Sequence, residues 1–296
     1  MKHLQKTIKK LKQKDDGIAG IVVAVLLIAL IISVVAIIQT VFVPQWMEQK
    51  EAEHLQNVFN QFNMMKYAID TQALTQNPSL AISTSITLGN KELPILSSVR
   101  SYGYLAVNET KTELKVREHG DTTYKISQNY GIVQYSSSNA YFLDKTYIYE
   151  AGAIIVSQYD GNVMAITPNF DVYYDSNAKI VTINFSLINT KGVGDRQSIG
   201  GYGTYPIRAQ FQTKETEITS NVESIQITTD YKRSWEMFLK REFSRQNIPY
   251  EGTDAICSIS QTPDGVLIEF YEAECSADFE FTVYHIIVQI SPGWIE

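Results

Sequence analysis

The order of apolar and polar positions divides the chain into three parts. Residues 18–43 read IAGIVVAVLLIALIISVVAIIQTVFV and contain no charged side chain. Residues 44–76 carry apolar side chains at three- and four-residue steps, which is the period of a helix with one apolar face. From about residue 80 the pattern alternates every second residue between turn sequences, which predicts many short strands.

The apolar block predicts a membrane-spanning helix over residues 18–43. At about 1.5 Å of rise per residue this length extends about 39 Å, more than the hydrocarbon core of a bilayer requires. Pro44 and Trp46 follow the block, and tryptophan is favoured at the level of the lipid headgroups. The alternatives are a buried soluble helix and a removable secretory signal, whose apolar region is normally shorter. We expect an anchor embedded in membrane lipid.

Residues 44–76 predict an amphipathic stalk helix. Leu55, Phe62 and Ile69 follow one another at seven-residue intervals and therefore lie on one face. Pro44 predicts a bend at the start of this helix, because its ring removes one backbone hydrogen bond. The apolar face could pack under the following domain or against neighbouring copies, and packing on its own domain is the simpler expectation.

Residues 80–296 predict an antiparallel β-sandwich with a jelly-roll-like arrangement of short strands, of which Ala140–Leu143 is one. Turn sequences such as Pro263-Asp-Gly separate the strands. An insertion at residues 231–247 has helical spacing, with aromatic residues on one side and basic residues opposite. We interpret it as a helix that closes one end of the sandwich; a partner-docking helix is the alternative. The predicted fold class is α+β, with an N-terminal transmembrane helix, a stalk and a β-sandwich ectodomain.

Charge is distributed unevenly along the chain. Residues 1–17 form a basic leader in which six lysines and two aspartates leave a net charge of +4, within a chain of −7. The remainder is therefore acidic, which argues against nucleic acid as a partner because phosphate contacts require clustered Lys and Arg. Beyond the apolar block, Lys50 is surrounded by glutamates. The positive-inside rule thus predicts a single-pass cell membrane protein with a cytoplasmic N-terminus and an extracellular C-terminal domain.

The junction KKLKQKDDGIAG places basic residues, then acidic residues, then Gly17 directly before the apolar helix. This arrangement resembles the class III signal peptide of type IV pilins and archaeal flagellins. In that family a prepilin-type peptidase cuts before the apolar segment, and the helix stays in the mature protein. The resemblance implies a processing site between Gly17 and Ile18. It also implies a helix that packs with copies of itself, or with other pilins, in a filament.

Two positions depart from the pilin pattern. Bacterial pilins have glutamate at the fifth mature position, whereas this chain has Val22; many archaeal members also lack that glutamate. Asp15 and Asp16 precede the glycine where lysine or arginine is more usual. The layout is similar to that of archaeal pilin-like surface proteins of unassigned function, and we expect a structural or adhesive surface protein of an archaeon. The alternative is an uncleaved, monomeric surface protein that binds carbohydrate or another ligand.

Two features of the predicted extracellular domain concern covalent chemistry. Cys257 and Cys275 are the only cysteines, and a pair in an oxidising compartment predicts one disulfide. Asn108-Glu-Thr and Asn184-Phe-Ser are sequons, which makes Asn108 and Asn184 glycosylation candidates.

The sequence shows no catalytic constellation, and we expect no enzyme, cofactor or metal centre. His54 lacks a histidine four residues later, which predicts a surface residue and not a metal ligand. Glu272 and Glu274 could form a catalytic carboxylate pair, but exposed acidic strand positions are the commoner explanation. Residues 190–203 are rich in glycine without the ending of a phosphate-binding loop, which predicts a flexible surface loop. Calcium binding by acidic turns such as Asp171–Asp175 is an alternative, because their oxygen atoms suit that ion.

Overall fold

The computed structural model describes residues 2–90, 100–193 and 197–290, and the side chains of these residues other than 2–19 and Thr110. The chain divides into two units. The first contains residues 1–50, and the second begins at Glu51 and contains the β-strands.

Three helical segments follow one another from the N-terminal side. Helix α1 (Lys2–Ile37) leads into a π-helical segment (Ile38–Phe42), and helix α2 (Val43–Thr75) begins directly after it. The predicted apolar helix is therefore helical, but α1 begins at Lys2 and includes the basic leader. The part of α2 from Glu51 onward belongs to the second unit.

Fourteen strands form two sheets within the described residues. The five-stranded sheet has the spatial order β1 (Ala81–Thr87), β10 (Thr204–Thr219), β14 (Ser276–Ile290), β8 (Ile180–Gly192) and β7 (Asn169–Asp175). The nine-stranded sheet has the order β12 (Cys257–Gln261), β13 (Gly265–Phe270), β11 (Val222–Thr228), β2 (Tyr102–Glu118), β3 (Ile126–Ser138), β4 (Thr146–Glu150), β5 (Ala153–Gln158) and β6 (Gly161–Ile166). Its remaining strand, β9 (Ser198–Gly201), pairs with β2.

One strand pair departs from the predicted antiparallel arrangement. Strands β8 and β14 run parallel, from the pair Ile180–Ser276 to the pair Gly192–Val288, whereas the other pairs are antiparallel. The prediction of a wholly antiparallel sandwich is therefore wrong for this pair. A parallel pair requires a long crossover connection. The segment between β8 and β14 provides it, and this segment includes strands of the nine-stranded sheet.

The first apolar cluster joins the two sheets with helix α3 (Lys232–Arg245). Trp235 and Phe238 of the helix pack edge-to-face against Phe185 and Phe170 respectively, on the five-stranded sheet. The helix therefore covers part of the core, as the first of the two interpretations requires, and its position at one end of a sandwich stays a prediction. Its basic residues face outward and form local ion pairs, as Lys240 does at 3.1 Å with both Glu236 and Glu251.

The second apolar cluster contains the part of α2 that belongs to the second unit. Six of its side chains are buried against both sheets: Leu55, Val58, Phe62, Met65, Ile69 and Ala73. The rings of Tyr135 and Tyr147 lie 6.4 and 5.9 Å from the ring of Phe62. At about 1.5–3 kcal/mol per large buried side chain, this face contributes on the order of 10 kcal/mol to the folded unit. The expectation that the stalk packs on its own domain is confirmed.

Part of the glycine-rich stretch is ordered, which corrects the prediction of a flexible loop. Strand β9 pairs with β2 from Gly201 opposite Gly103 to Ser198 opposite Ala106. A Cβ atom at position 200 would lie 2.0 Å from the hydroxyl of Tyr102, so a larger residue there would have to displace the exposed Tyr102 side chain. Residues 194–196 of the predicted loop lie outside the described residues.

Candidate functional site

The described part of the apolar helix is exposed on all sides. Fifteen large apolar side chains between Ile21 and Phe42 each expose 43–66% of their surface. Among the described residues one helical stretch, Gly20–Thr75, is long and apolar enough to cross a membrane. At about 1.5–3 kcal/mol per large side chain, leaving this surface in water would cost on the order of 20 kcal/mol. The part of this stretch between Ile21 and Phe42 is therefore the candidate membrane anchor.

The two hydroxyl groups of the apolar helix form hydrogen bonds within the helix itself. The hydroxyl groups of Ser33 and Thr40 donate to the carbonyls of Ala29 and Ala36, each at 2.8 Å. Such bonds remove the cost of placing a hydroxyl group in hydrocarbon. Both side chains are thus compatible with a lipid environment.

The π-helical segment ends just before Pro44. The backbone N–H of Val43 donates to the carbonyl of Ile38, five residues back. A proline ring in a regular α-helix clashes with the carbonyl four residues earlier, which here belongs to Thr40, and a π-turn shifts that carbonyl away. The structure thus has one widened turn directly before the proline, and the bend predicted there stays a prediction.

The candidate processing site lies inside helix α1. Gly17 and Ile18 are both helical in backbone, and their side chains lie outside the described ones. The structure brings no other described functional group to this peptide bond.

The side chain of Glu51, on α2, binds the loop between β3 and β4. Its fully buried carboxylate accepts three backbone hydrogen bonds, from the N–H groups of Ala140 (3.1 Å), Tyr141 (2.8 Å) and Phe142 (2.7 Å). Hydrogen bonds to a charged group are about twice as strong as those between neutral groups. The predicted strand over Ala140–Leu143 is therefore wrong, because these N–H groups bind a carboxylate and not a neighbouring strand.

His54 is buried, with 7% of its surface exposed, and the prediction of a surface residue is wrong. Its Nε2 lies 3.2 Å from the hydroxyl group of Tyr135 and 3.3 Å from the carbonyl oxygen of Leu88. Burial lowers the pKa of His54, although the carbonyl of Leu88 and the charge of Glu51 act in the opposite direction. A neutral imidazole here links α2 to both a strand and a loop.

Glu150 is a fully buried carboxyl group at the end of β4. Its Oε1 accepts hydrogen bonds from Trp235 Nε1 at 2.9 Å and from the hydroxyl of Tyr130 at 3.5 Å. Its Oε2 has no hydrogen-bonding partner in the part of the chain that the structure describes. Burial raises the pKa of Glu150 to about 7, against the opposing effect of Thr229, Trp235 and Tyr130. The hydrogen bond from Trp235 therefore connects α3 to β4 of the nine-stranded sheet, and the carboxyl group of Glu150 changes charge near neutral pH.

Comparison with known proteins identifies the family. Residues 17–275, which include the apolar helix, α2 and nearly all of the β-domain, match a family of unknown function, DUF7289. The chain belongs to DUF7289. No curated protein and no solved structure matches it.

The two cysteines of this DUF7289 chain are buried free thiols, so the predicted disulfide is not present in the structure. Each thiol faces a carbonyl of its own: Cys275 Sγ lies 3.4 Å from the oxygen of Ile256, and Cys257 Sγ lies 4.0 Å from that of Pro249. Burial raises the pKa of Cys257 to about 12 and also raises that of Cys275. The two thiols thus have separate carbonyl acceptors within the apolar core.

The two glycosylation candidates differ in their surroundings. Asn184 is exposed on β8, where its side chain points away from the apolar core. Asn108 is half-buried on β2, at an irregularity of the β2–β3 register between Asn108 and Thr112. Of the two, Asn184 is the more accessible to a modifying enzyme.

Within residues 2–90, 100–193 and 197–290 no group of three or more His, Cys, Asp or Glu side chains is placed to hold a metal ion. The Glu272 and Glu274 carboxylates lie in the turn before β14 and not on a strand. His119 Nδ1 lies 3.9 Å from the Glu272 carboxylate.

Glu51 and Glu150 are the buried carboxyl groups that sequence reasoning missed. A local signal exists for Glu51, because it lies four residues before Leu55, on the apolar face of α2. No local signal exists for Glu150, whose partners are distant in the sequence.

Proposed function

We propose that this chain is a membrane-anchored, pilin-like protein of an archaeal cell surface, with a structural or adhesive role. The observation that supports this proposal is the apolar surface between Ile21 and Phe42. This surface is exposed on all sides, and a β-rich unit follows it in the chain. Lipid, or the helices of other copies and other pilins, would cover that surface. The role is not enzymatic in this proposal.

Leader cleavage between Gly17 and Ile18 by a prepilin-type peptidase is part of the proposal. It is supported by the junction DDGIAG and by the start of the family match at Gly17, which leaves the lysine-rich leader outside the family. After cleavage the helix would begin at its first apolar residue and could enter a filament without charged side chains.

N-terminal sequencing of protein extracted from membranes tests cleavage. We expect a mature chain that begins at Ile18, and an intact Met1 would refute processing and favour the uncleaved alternative. Gly17→Leu should block cleavage. Gly20→Ala is the matched control, because a Cβ atom at Gly20 meets nothing within 4 Å.

Membrane orientation is tested with a maleimide that does not cross membranes. The native cysteines are buried, so an introduced cysteine gives the signal. Tyr159→Cys lies in the fully exposed turn between β5 and β6, and Gln5→Cys lies in the leader. The proposed topology predicts labelling of Tyr159→Cys on intact cells. Gln5→Cys is introduced into the Gly17→Leu chain, which should retain its leader, and it should react only after permeabilisation. The reverse pattern would refute a cytoplasmic N-terminus.

We also infer that the two sheets are the layers of a jelly-roll-like sandwich. The inference is supported by the first apolar cluster, to which inward-facing residues of both sheets contribute. An experimentally determined structure of the chain would test it. Strands that do not form two facing layers would refute it.

A further inference from the structure

A cleft of about 220 Å³ opens in the second unit beside helix α2. Lys66 and Asp70 form part of its helical wall. The opposite side is formed by Asn169 of β7, Ser186 of β8 and Tyr284 of β14. None of these residues takes part in the candidate anchor or the candidate processing site.

The polar groups of the cleft balance one another in charge. Lys66 Nζ lies 2.8 Å from Asp70 Oδ2, so the ammonium and carboxylate neutralise each other while keeping further donors and lone pairs. Asn169 and Ser186 are register partners on neighbouring strands, and each can both donate and accept. The cleft therefore offers several donors and acceptors without net charge.

Apolar surface lies next to these polar groups. Ile188 and Ala73 line the interior, and Leu74 at the helical side exposes 82% of its surface. The half-buried ring of Tyr284 also lines the cleft, with Lys214 Nζ 5.6 Å from its centroid. Apolar and aromatic lining with a few convergent polar groups is the usual composition of a small-molecule site.

The hydroxyl group of Tyr149 is a second polar group near Asp70. Tyr149 is fully buried, and its hydroxyl has no hydrogen-bonding partner among the described residues. Burial raises the pKa of Tyr149, and the negative charge of Asp70, which lines the cleft, adds to this effect. A buried hydroxyl without a partner is costly, so an unsatisfied polar group lies close to one residue of the cleft wall.

We propose that this cleft binds a neutral sugar unit. Sugar hydroxyl groups both donate and accept, which matches Asp70, Asn169 and Ser186, and the C–H face of a sugar ring matches Tyr284 and the aliphatic lining. A charged ligand is disfavoured, because it would have to displace one partner of the Lys66–Asp70 pair. The proposal supplies a ligand class for the adhesive role above and rests on the surface location proposed there.

Saturation-transfer NMR on the full chain tests the proposal, in a detergent without a sugar headgroup. The probes are glucose, galactose, mannose and N-acetylglucosamine, with glucuronate and glucosamine as charged comparisons. We expect signal from at least one neutral sugar. A response to none of them, or a stronger response to a charged comparison, would overturn the proposal.

Variants assign the signal to the cleft. Asn169→Ala and Asp70→Ala should each weaken binding about tenfold, which corresponds to the loss of one good hydrogen bond. Tyr173→Ala is the matched control, because Tyr173 is exposed on the same strand as Asn169 and does not line the cleft. Unchanged thermal unfolding shows that each variant is folded; a variant that unfolds is replaced by Ser186→Ala.

Equal binding by the cleft variants and the control would place the sugar elsewhere and overturn the proposal. The purified chain binds irrespective of its place in the cell, so failure here leaves the anchor and cleavage proposals standing. Conversely, a wrong cellular orientation would not abolish binding in micelles.

Discussion

Replacing Glu150 with glutamine should remove a pH dependence of stability that the structure builds into the core. Glu150 is fully buried, and burial raises its pKa from 4.5 to about 7. A carboxyl group whose folded pKa is raised binds more protons in the folded state than in the unfolded state. Its contribution to stability is therefore fully present below pH 4.5 and is lost as the pH rises through 7.

The magnitude follows from the size of the shift. At about 1.4 kcal/mol per pKa unit, the change from 4.5 to about 7 corresponds to a loss of about 3 kcal/mol between pH 4 and pH 8. Glutamine has the same shape without the charge, and its carbonyl oxygen can still accept the hydrogen bond from Trp235. We therefore expect Glu150→Gln to gain about 3 kcal/mol relative to the original chain between pH 4 and pH 8.

The assay is denaturant unfolding of both chains in micelles across this pH range, followed by tryptophan fluorescence. Comparison of the two chains cancels other titrating groups, including His54, whose lowered pKa acts in the opposite direction. Glu217→Gln is the matched control, because Glu217 is exposed on β10. A difference in unfolding free energy that stays constant from pH 4 to pH 8 would refute the assigned pKa and its cause.

Three further predictions concern the second unit. Cys257 and Cys275 should resist iodoacetamide in the native chain and react fully after unfolding without reductant, because burial raises both pKa values; mass spectrometry that finds a disulfide would contradict this. A fragment that begins at Glu51 should fold and remain soluble. A fragment that begins at residue 76 should not, because it lacks the α2 side chains of the second apolar cluster. Equal unfolding transitions of the two fragments, measured by circular dichroism, would contradict this prediction. Glu51→Ala should lower the unfolding free energy by about 2–5 kcal/mol, because three backbone N–H groups lose a charged acceptor; Glu48→Ala is the control, because Glu48 is exposed on the same helix, and equal losses in both variants would contradict the assigned role.

Local periodicity was sufficient to predict the helices and most of the strands. The apolar block, the amphipathic face of α2 and helix α3 were all predicted, because a helix repeats its contacts every three to four residues. Most strands were also located, since burial on one face imposes a period of two. The boundaries of α1 and the widened turn before Pro44 were less accessible, because they depend on backbone geometry that periodicity does not report.

Features decided by distant partners could not be predicted. Ala140–Leu143 is a short apolar run like that of a buried strand, yet three of its N–H groups bind Glu51, about ninety residues earlier. His54 lies four residues before Val58 on the buried face of α2, but its hydrogen-bonding partners, Tyr135 and Leu88, are distant in the sequence. Ser198–Gly201 of the glycine-rich stretch form a strand by pairing with β2, which lies much earlier in the chain.

The placement of β14 has a consequence for when this domain can fold. This strand is the last in chain order among the described residues, yet it lies between β10 and β8 in the middle of its sheet. Phe279 and Phe281 complete the first apolar cluster, and Ile286 and Val288 complete the second. Neither core is closed until β14 is available, and non-local pairing of this kind is slow. On the proposed topology, the polypeptide would cross the membrane unfolded and acquire its structure outside in one late step.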